Sequence, residues 1–176
     1  MVSRRRPISP LDRRKLDDLA LRYVERFATT RGRLADYLRR KIRERGWDGP
    51  PADPDALAAR MAELGYVDDR AYAEAKASAL ARRGLGARRV ADALRHARVE
   101  PEDADALRPD IAERSVDAAL AFARRKRIGP FAAQSPDRDL LAKQLAAMAR
   151  AGHPYDLSRR ILDLEPGADV DPEALR

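Results

Sequence analysis

Residues 53–65 read Asp53-Pro54-Asp55-Ala56-Leu57-Ala58-Ala59-Arg60-Met61-Ala62-Glu63-Leu64-Gly65, and this run contains every mark of one short helix. Asp53 supplies a side-chain oxygen for the unpaired amides of a first turn. Pro54 follows where a backbone donor is not needed and where its fixed φ is already helical. Leu57, Met61 and Leu64 then recur at intervals of four and three, which places them on one stripe of a helix. Gly65 closes the run with a residue that tolerates the left-handed turn beyond a helix end.

The same punctuation extends in both directions. A capping or polar residue precedes proline at Ser9-Pro10, Glu100-Pro101, Ser135-Pro136 and His153-Pro154, and Gly46, Gly84, Gly86, Gly129 and Gly152 stand where apolar periodicity stops. Leu16, Leu19, Ala20, Tyr23 and Phe27 form one stripe, and Leu34, Leu38 and Ile42 another. Further helices are predicted at about 69–83, 87–98, 101–113, 116–128, 136–151 and 154–164. No period-2 apolar alternation bounded by turns competes with them.

The spacing therefore predicts an all-α chain of nine helices in three trios. A basic arm at 1–10 leads to three-helix modules at 11–66, 67–114 and 115–164 and an acidic tail at 165–176, with 1–8 and 166–176 mobile. A weak echo supports the trios. Ile42…Gly46-Trp47, Leu94…Arg98-Val99 and Met148…Gly152-His153 repeat an apolar residue, three positions, a turn and a restart. Units of about 50 residues bury little surface alone, so stacking neighbours into an elongated, curved array would complete each core.

Aromatics make up 5% of the 176 residues and charged residues 37%, so apolar surface must come from Ala, Leu and Val on amphipathic faces. The net charge is +7 and comes in blocks: +8 over 1–49, −3 over 50–81, +5 over 82–99, −5 over 100–117, +4 over 118–130, +1 over 131–164 and −3 over 165–176. Concentrated positive charge favours a polyanion or an acidic protein surface as partner. Cysteine is absent, which excludes disulfides and thiolate metal sites. The N-terminus has no apolar core of a leader behind Met-Val-Ser-Arg-Arg-Arg-Pro, and no apolar stretch could span a membrane, so a cytoplasmic protein is expected.

Catalytic chemistry finds little to work with. His96 and His153 are the only histidines and lack metal-ligand spacing. Gly84-Leu85-Gly86 has neither the third glycine nor the preceding strand of a nucleotide loop, and reads as a helix stop or hinge. The adjacent carboxylates Asp17-Asp18 and Asp68-Asp69 read as solvated helix faces or caps. The expectation is a binding protein with no catalytic residue, no cofactor and no metal.

The run Leu64-Gly65-Tyr66-Val67-Asp68-Asp69-Arg70-Ala71-Tyr72-Ala73 is the most distinctive in the chain. Its structural reading is a linker: Gly65 ends a helix, Tyr66 packs into the junction of modules one and two, and Asp68 caps the next helix. Asp69 faces that helix's dipole and Tyr72 points back to the same core. Truncating Tyr66 should then loosen the junction.

Continued through Arg82-Arg83-Gly84-Leu85-Gly86-Ala87-Arg88-Arg89-Val90-Ala91-Asp92-Ala93-Leu94, the run resembles the RecX family of RecA regulators. The residues that carry the likeness are Leu64, Gly65, Tyr66, Asp68, Asp69, Tyr72, Ala73, Gly86, Val90 and Leu94. More loosely, it extends from about residue 11 to 164. The chain has Ala97-Arg98 where that family commonly carries Lys-Gly, and His153 where an aromatic or aliphatic residue usually follows Gly152.

The resemblance implies three tandem three-helix modules that lie in the groove of the RecA nucleoprotein filament. It also implies inhibition of filament growth, ATP hydrolysis, strand exchange and repressor cleavage, and hence modulation of DNA repair and the SOS response by a monomer with no membrane contact. The basic blocks near 31–45, 82–98 and 124–127 would meet RecA or its DNA, with Arg39, Arg40, Arg43, Arg82, Arg83, Arg88, Arg89, Arg124 and Arg125 as candidate contacts. Two other readings stay open. One is a free-standing DNA-binding regulator reading bases through Arg88 and Arg89; the other, a small basic nuclease, lacks the clustered carboxylates that would hold Mg²⁺.

Overall fold

The structure, a computed structural model, describes residues 9–176. The expected basic arm at 1–10 lies, but for its last two residues, outside the described residues. The fold is all-α. Ten α-helices and two 3-10 turns are formed among the described residues, and the only extended pairing there is an isolated parallel bridge between Leu11 and Trp47.

The residues group into two compact units. Unit 1 takes the chain up to Tyr72 together with Ala97–Glu100, and unit 2 takes Ala73–His96 together with Pro101–Arg176. Three helices build unit 1: α1 (Arg13–Arg26), α2 (Arg31–Arg45) and α3 (Pro54–Glu63). Of their caps only Asp53 is the one the sequence predicts; α1 starts after Asp12 and not at Ser9-Pro10, and Thr30 caps α2. Asp12, Thr30 and Asp53 accept from the backbone N–H groups of Lys15 at 2.8 Å, Arg33 at 3.2 Å and Ala56 at 2.9 Å. Each such cap is worth about 1 kcal/mol.

The stripes bury Leu16, Ala20, Leu34, Leu38, Leu57 and Met61, with Leu11 and Val67 closing the core. Leu11 exchanges backbone hydrogen bonds with Gly46 and Asp48 at 3.0 and 2.8 Å, which ties the entry of α1 to the exit of α2. The stripe ends behave otherwise: Phe27 is 49% exposed and Leu64 59%, because each lies at or past the last turn of its helix.

Unit 2 holds most of α4 (Asp69–Arg82), then α5 (Ala87–His96), α6 (Pro101–Ala106), α7 (Arg108–Glu113), α8 (Ser115–Lys126), α9 (Arg138–Ala151) and α10 (Tyr155–Leu162). Its core gathers Val116, Ala119, Phe122, Ala123, Ile128, Met148, Leu157 and Ile161.

Two features depart from the sequence reading. The single helix expected over 101–113 is two, broken at Leu107. Pro109 has no amide to give to Asp105, so the hydrogen-bond ladder is interrupted and a new helix starts with Pro109 in its first turn. The acidic tail expected to be mobile instead carries Leu175 into the unit 2 core at 6% exposure. Arg160 donates to the Leu175 carbonyl and Arg176 to that of Glu113, both at 2.8 Å. One apolar anchor among acidic residues leaves no periodicity to read.

The second and third expected trios share unit 2 because the α4–α5 turn packs against α8 and the α9–α10 turn. Gly86 donates to the Ala151 carbonyl at 2.9 Å and Arg88 to that of Gly152 at 3.3 Å. The echo positions Gly46, Arg98 and Gly152 all have positive φ, of 82, 56 and 93°, but Gly46 has ψ 166° where Gly152 has 16°, so the turns differ.

Candidate functional site

In unit 1 the distinctive run turns sharply after α3. Gly65 has φ +79°, and a Cβ there would meet nothing within 4 Å, so the residue is required by conformation and not by space. Asp68 caps α4 by accepting from Ala71 N–H at 2.8 Å.

Asp69 does more than the expected dipole contact, and it is not solvated surface. At 5% exposure it accepts from the Arg31 amide at 2.8 Å, and its other oxygen lies 3.6 Å from the Arg31 guanidinium. One carboxylate thus answers the N-termini of both α2 and α4.

Tyr66 corrects another expectation. It is 51% exposed, and the neighbouring Val67, at 4%, fills the core instead. Successive residues leaving a turn point in opposite directions, and the smaller one faces inward. Tyr72 is half-buried, and its hydroxyl accepts from Arg33 at 2.9 Å.

The candidate contacts on α2 divide by partner. Arg39 is held by Asp36 at 2.9 Å and by Asp55, and Arg40 by Glu44 at 3.3 Å. Arg43 makes no ion pair among the described residues.

In unit 2 two basic runs far apart in sequence meet. An Arg125 Nη1 donates to the carbonyl of Arg83, joining the C-terminal end of α8 to that of α4. Gly84 makes that approach possible: its φ is +73°, and a Cβ there would stand 2.7 Å from the Phe122 amide. His153 completes the junction at 5% exposure. Its ring lies 5.6 Å from that of Phe122 and its Nε2 is 3.2 Å from the Gly84 carbonyl, whereas Nδ1 is buried without a partner. Burial pushes His153 below imidazole's ordinary value, and the Gly84 carbonyl opposes this only in part. The ring is neutral near pH 7, with Nε2–H the donor.

Arg82, Arg83, Arg88, Arg89, Arg124, Arg125, Lys126 and Arg127 are all exposed. None has an ion-pair partner among the described residues. No acidic residue occurs within 82–91 or 118–136 to neutralise them. Arg82 donates to Ser78 at 2.8 Å, and Arg124 and Arg125 lie over the rings of Phe131 and Phe122 at 4.9 and 5.4 Å. Such contacts orient a guanidinium without neutralising it. The surface can bind phosphate or carboxylate, and among the described residues no group of three or more acidic, His or Cys side chains could hold a metal ion.

Among curated proteins, the chain is 35% identical to Regulatory protein RecX of Myxococcus xanthus over 93% of this chain and 90% of that protein. The chain belongs to the RecX family. It is also 31% identical to the RecX of Agrobacterium fabrum over 88% of this chain and 86% of that one, and 30% to the RecX of Thermobifida fusca over 87% and 81%. No family model matches the chain, and no solved structure matches it significantly.

The RecX residues of the central run now have physical reasons. A Cβ on Gly86 would lie 2.4 Å from the Gly152 carbonyl, so two turns touch backbone to backbone. Val90 and Leu94, each 1% exposed, are buried in the same stripe of α5.

Both departures from the RecX pattern are accommodated. His153 does the packing of an apolar restart residue and adds a hydrogen bond. Arg98 adopts a left-handed backbone usually left to glycine, and Gly32 makes room, since a Cβ there would be 2.4 Å from the Arg98 Cβ. Arg98 also pairs with Asp36 at 3.1 Å, and the Ala97 carbonyl before it accepts the buried Thr30 hydroxyl.

Phe122, the Arg33–Tyr72 contact and the role of His153 were not predicted from sequence. Each joins residues 31 or more positions apart, which local periodicity does not register.

Proposed function

We propose that this RecX-family protein restrains the RecA recombinase by binding its nucleoprotein filament through the unpaired basic surface of unit 2. The observation that carries the reading is the set of eight exposed cations, from Arg82 to Arg127, without ion-pair partners among the described residues. Fixed charges at two joined helix ends suit an acidic or phosphate-bearing surface repeated along a filament. Modest contacts to successive protomers would then add through effective concentration.

The protein acts by occupancy and not by catalysis. Filament growth, ATP hydrolysis, strand exchange and RecA-assisted repressor cleavage all fall when the groove is occupied, and DNA repair and the SOS response are modulated in consequence. The protein works as a monomer in the cytoplasm; no described helix is long and apolar enough to cross a membrane.

The test is DNA-dependent ATP hydrolysis by RecA, with filament length, at low and moderate salt. Wild-type protein at or below RecA concentration should lower both, more strongly at low salt. Reversing charge at Arg82, Arg83, Arg88 and Arg89 together should remove the effect while helicity is retained, since exposed charges add little to stability. An inert wild-type protein in several-fold excess at low salt would refute the reading, and tight binding to one duplex site without RecA would replace it with a DNA-binding regulator.

A further inference from the structure

Unit 1 carries a second kind of basic surface, built around rings. Phe27, Tyr23 and Tyr37 form a ladder, with centroids 5.2 Å apart in the first pair and 4.2 Å in the second, where the rings are stacked at 24°. Cations rim it. Arg26 lies 5.4 Å from the Phe27 centroid, and Arg40 and Lys41 lie 5.5 and 5.8 Å from that of Tyr37. An open concavity of about 430 Å³ runs alongside, lined by Tyr23, Arg33, Asp36, Tyr37, Arg40 and Arg43.

From this juxtaposition we infer that unit 1 binds single-stranded nucleic acid, with a base stacked on Phe27 and the phosphates following Arg33 and Arg43. The chain has only nine aromatic residues, of which Tyr23, Phe27 and Tyr37 form this ladder, and Arg33 lies over the ring of a fourth, Tyr72.

Tyr23 and Tyr37 are half-buried against the core and give the ladder a rigid base. Phe27, with Arg26 over its ring and Tyr23 tilted against it, is still 49% exposed to solvent beside cations. Core packing accounts for the tyrosines but not for that open terminal ring.

The carboxylates present do not cancel the field. Asp36 is shared between Arg39 and Arg98, and Glu44 between Arg40 and Lys41, and Arg26, Arg33 and Arg43 have no carboxylate partner among the described residues. An acidic protein surface would use these cations but not the rings. A duplex keeps its base faces inside the stack. A single strand presents π faces and phosphates together, the two chemistries this surface offers.

The inference does not depend on the RecA reading, and its test contains no RecA. Full-length protein is titrated at low salt into fluorescein-labelled (dT)12, an abasic strand of equal length and a 12-base-pair duplex, followed by anisotropy. The thymidine strand should bind at least about five-fold more tightly than the abasic strand, the lower end of what stacking one base contributes.

Phe27→Ala should lose about that factor for (dT)12 alone, and Phe27→Trp should keep the affinity. Arg33→Gln with Arg43→Gln should weaken both strands and flatten the salt dependence. Far-ultraviolet circular dichroism shows whether each variant is folded, and Phe27→Trp serves if Phe27→Ala is not.

Equal affinity for the thymidine and abasic strands would overturn the inference, because charge from either unit would then suffice. Failure to bind (dT)12 would overturn it too. If Phe27→Ala left binding of (dT)12 unchanged, no base would be stacking on that ring, and the inference would fall while the RecA reading stood.

Discussion

Replacing Gly86 by alanine adds one carbon where two turns already touch. Its Cβ would lie 2.4 Å from both the carbonyl carbon and oxygen of Gly152 and 2.7 Å from the His153 nitrogen. All three are backbone atoms, so no flexible side chain can swing aside. Gly86 has no positive φ, so the substitution carries no left-handed strain, and alanine even lowers the entropy of the unfolded chain by about 0.4–1 kcal/mol in favour of folding. The steric term must exceed that gain.

Overpacking of this kind costs about 1–3 kcal/mol. Separating the turns would also strain the Gly86 to Ala151 and Arg88 to Gly152 hydrogen bonds, at 2.9 and 3.3 Å. Net of the alanine gain, the thermal midpoint of a chain of this size should fall by up to roughly 10 °C, measured by circular dichroism at 222 nm. The matched control is Gly65→Ala, where nothing lies within 4 Å and only the positive φ of +79° resists, at about 1–2 kcal/mol. Gly65→Asn should recover part of that loss, because Asn tolerates the left-handed region; Gly86→Asn should recover none. A midpoint unchanged or raised in Gly86→Ala would refute the close turn-to-turn contact.

Tyr66→Ala should leave stability within about 0.5 kcal/mol, as for an exposed side chain; with the ring 51% exposed, a loss of 3 kcal/mol or more in urea unfolding would restore the buried-junction reading. Arg98→Gly relieves a left-handed backbone at φ 56° and gives up only an exposed pair with Asp36, so the midpoint should hold or rise by the equivalent of about 1 kcal/mol; a clear fall would mean the ion pair dominates. Because burial depresses His153 below its ordinary 6.5, the unfolded chain takes up the proton first as pH falls. The stability this residue supports is complete above 6.5 and declines below it, by at most about 1.4 kcal/mol per pH unit down to the folded value. Urea melts between pH 7.5 and 5.5 should show that slope in wild type and a shallower one in His153→Phe, and identical slopes would count against it.

Most helix boundaries were legible because they are local chemistry. Asp53 bonds the amide three residues on, a requirement visible in a window of four, whereas the starts read at Ser9-Pro10 and Ser135-Pro136 fall a little later, on the caps Asp12 and Asp137. The failures share one cause. Leu107 interrupts a helix whose apolar pattern runs on, Leu175 is a single anchor, and Tyr66 and Val67 are adjacent apolar residues of which only one can face inward. In each case tertiary packing, absent from any window, decides.

The candidate site divides along the same line. Charge blocks are additive along a chain, so the basic runs at 82–89 and 124–127 could be named as clusters without a structure. Whether a cluster has charge to offer a partner depends on what folding places beside it. Arg39 looks no different from Arg83 in sequence, yet Asp36 and Asp55 occupy Arg39, whereas the contact at Arg83 is made to its carbonyl by Arg125, which leaves both guanidinium charges unneutralised. That second contact exists only because Gly84 lets α4 end against Phe122. The glycine of the turn therefore serves the proposed binding surface as well as the fold: a residue with no charge brings two cationic helix ends close together.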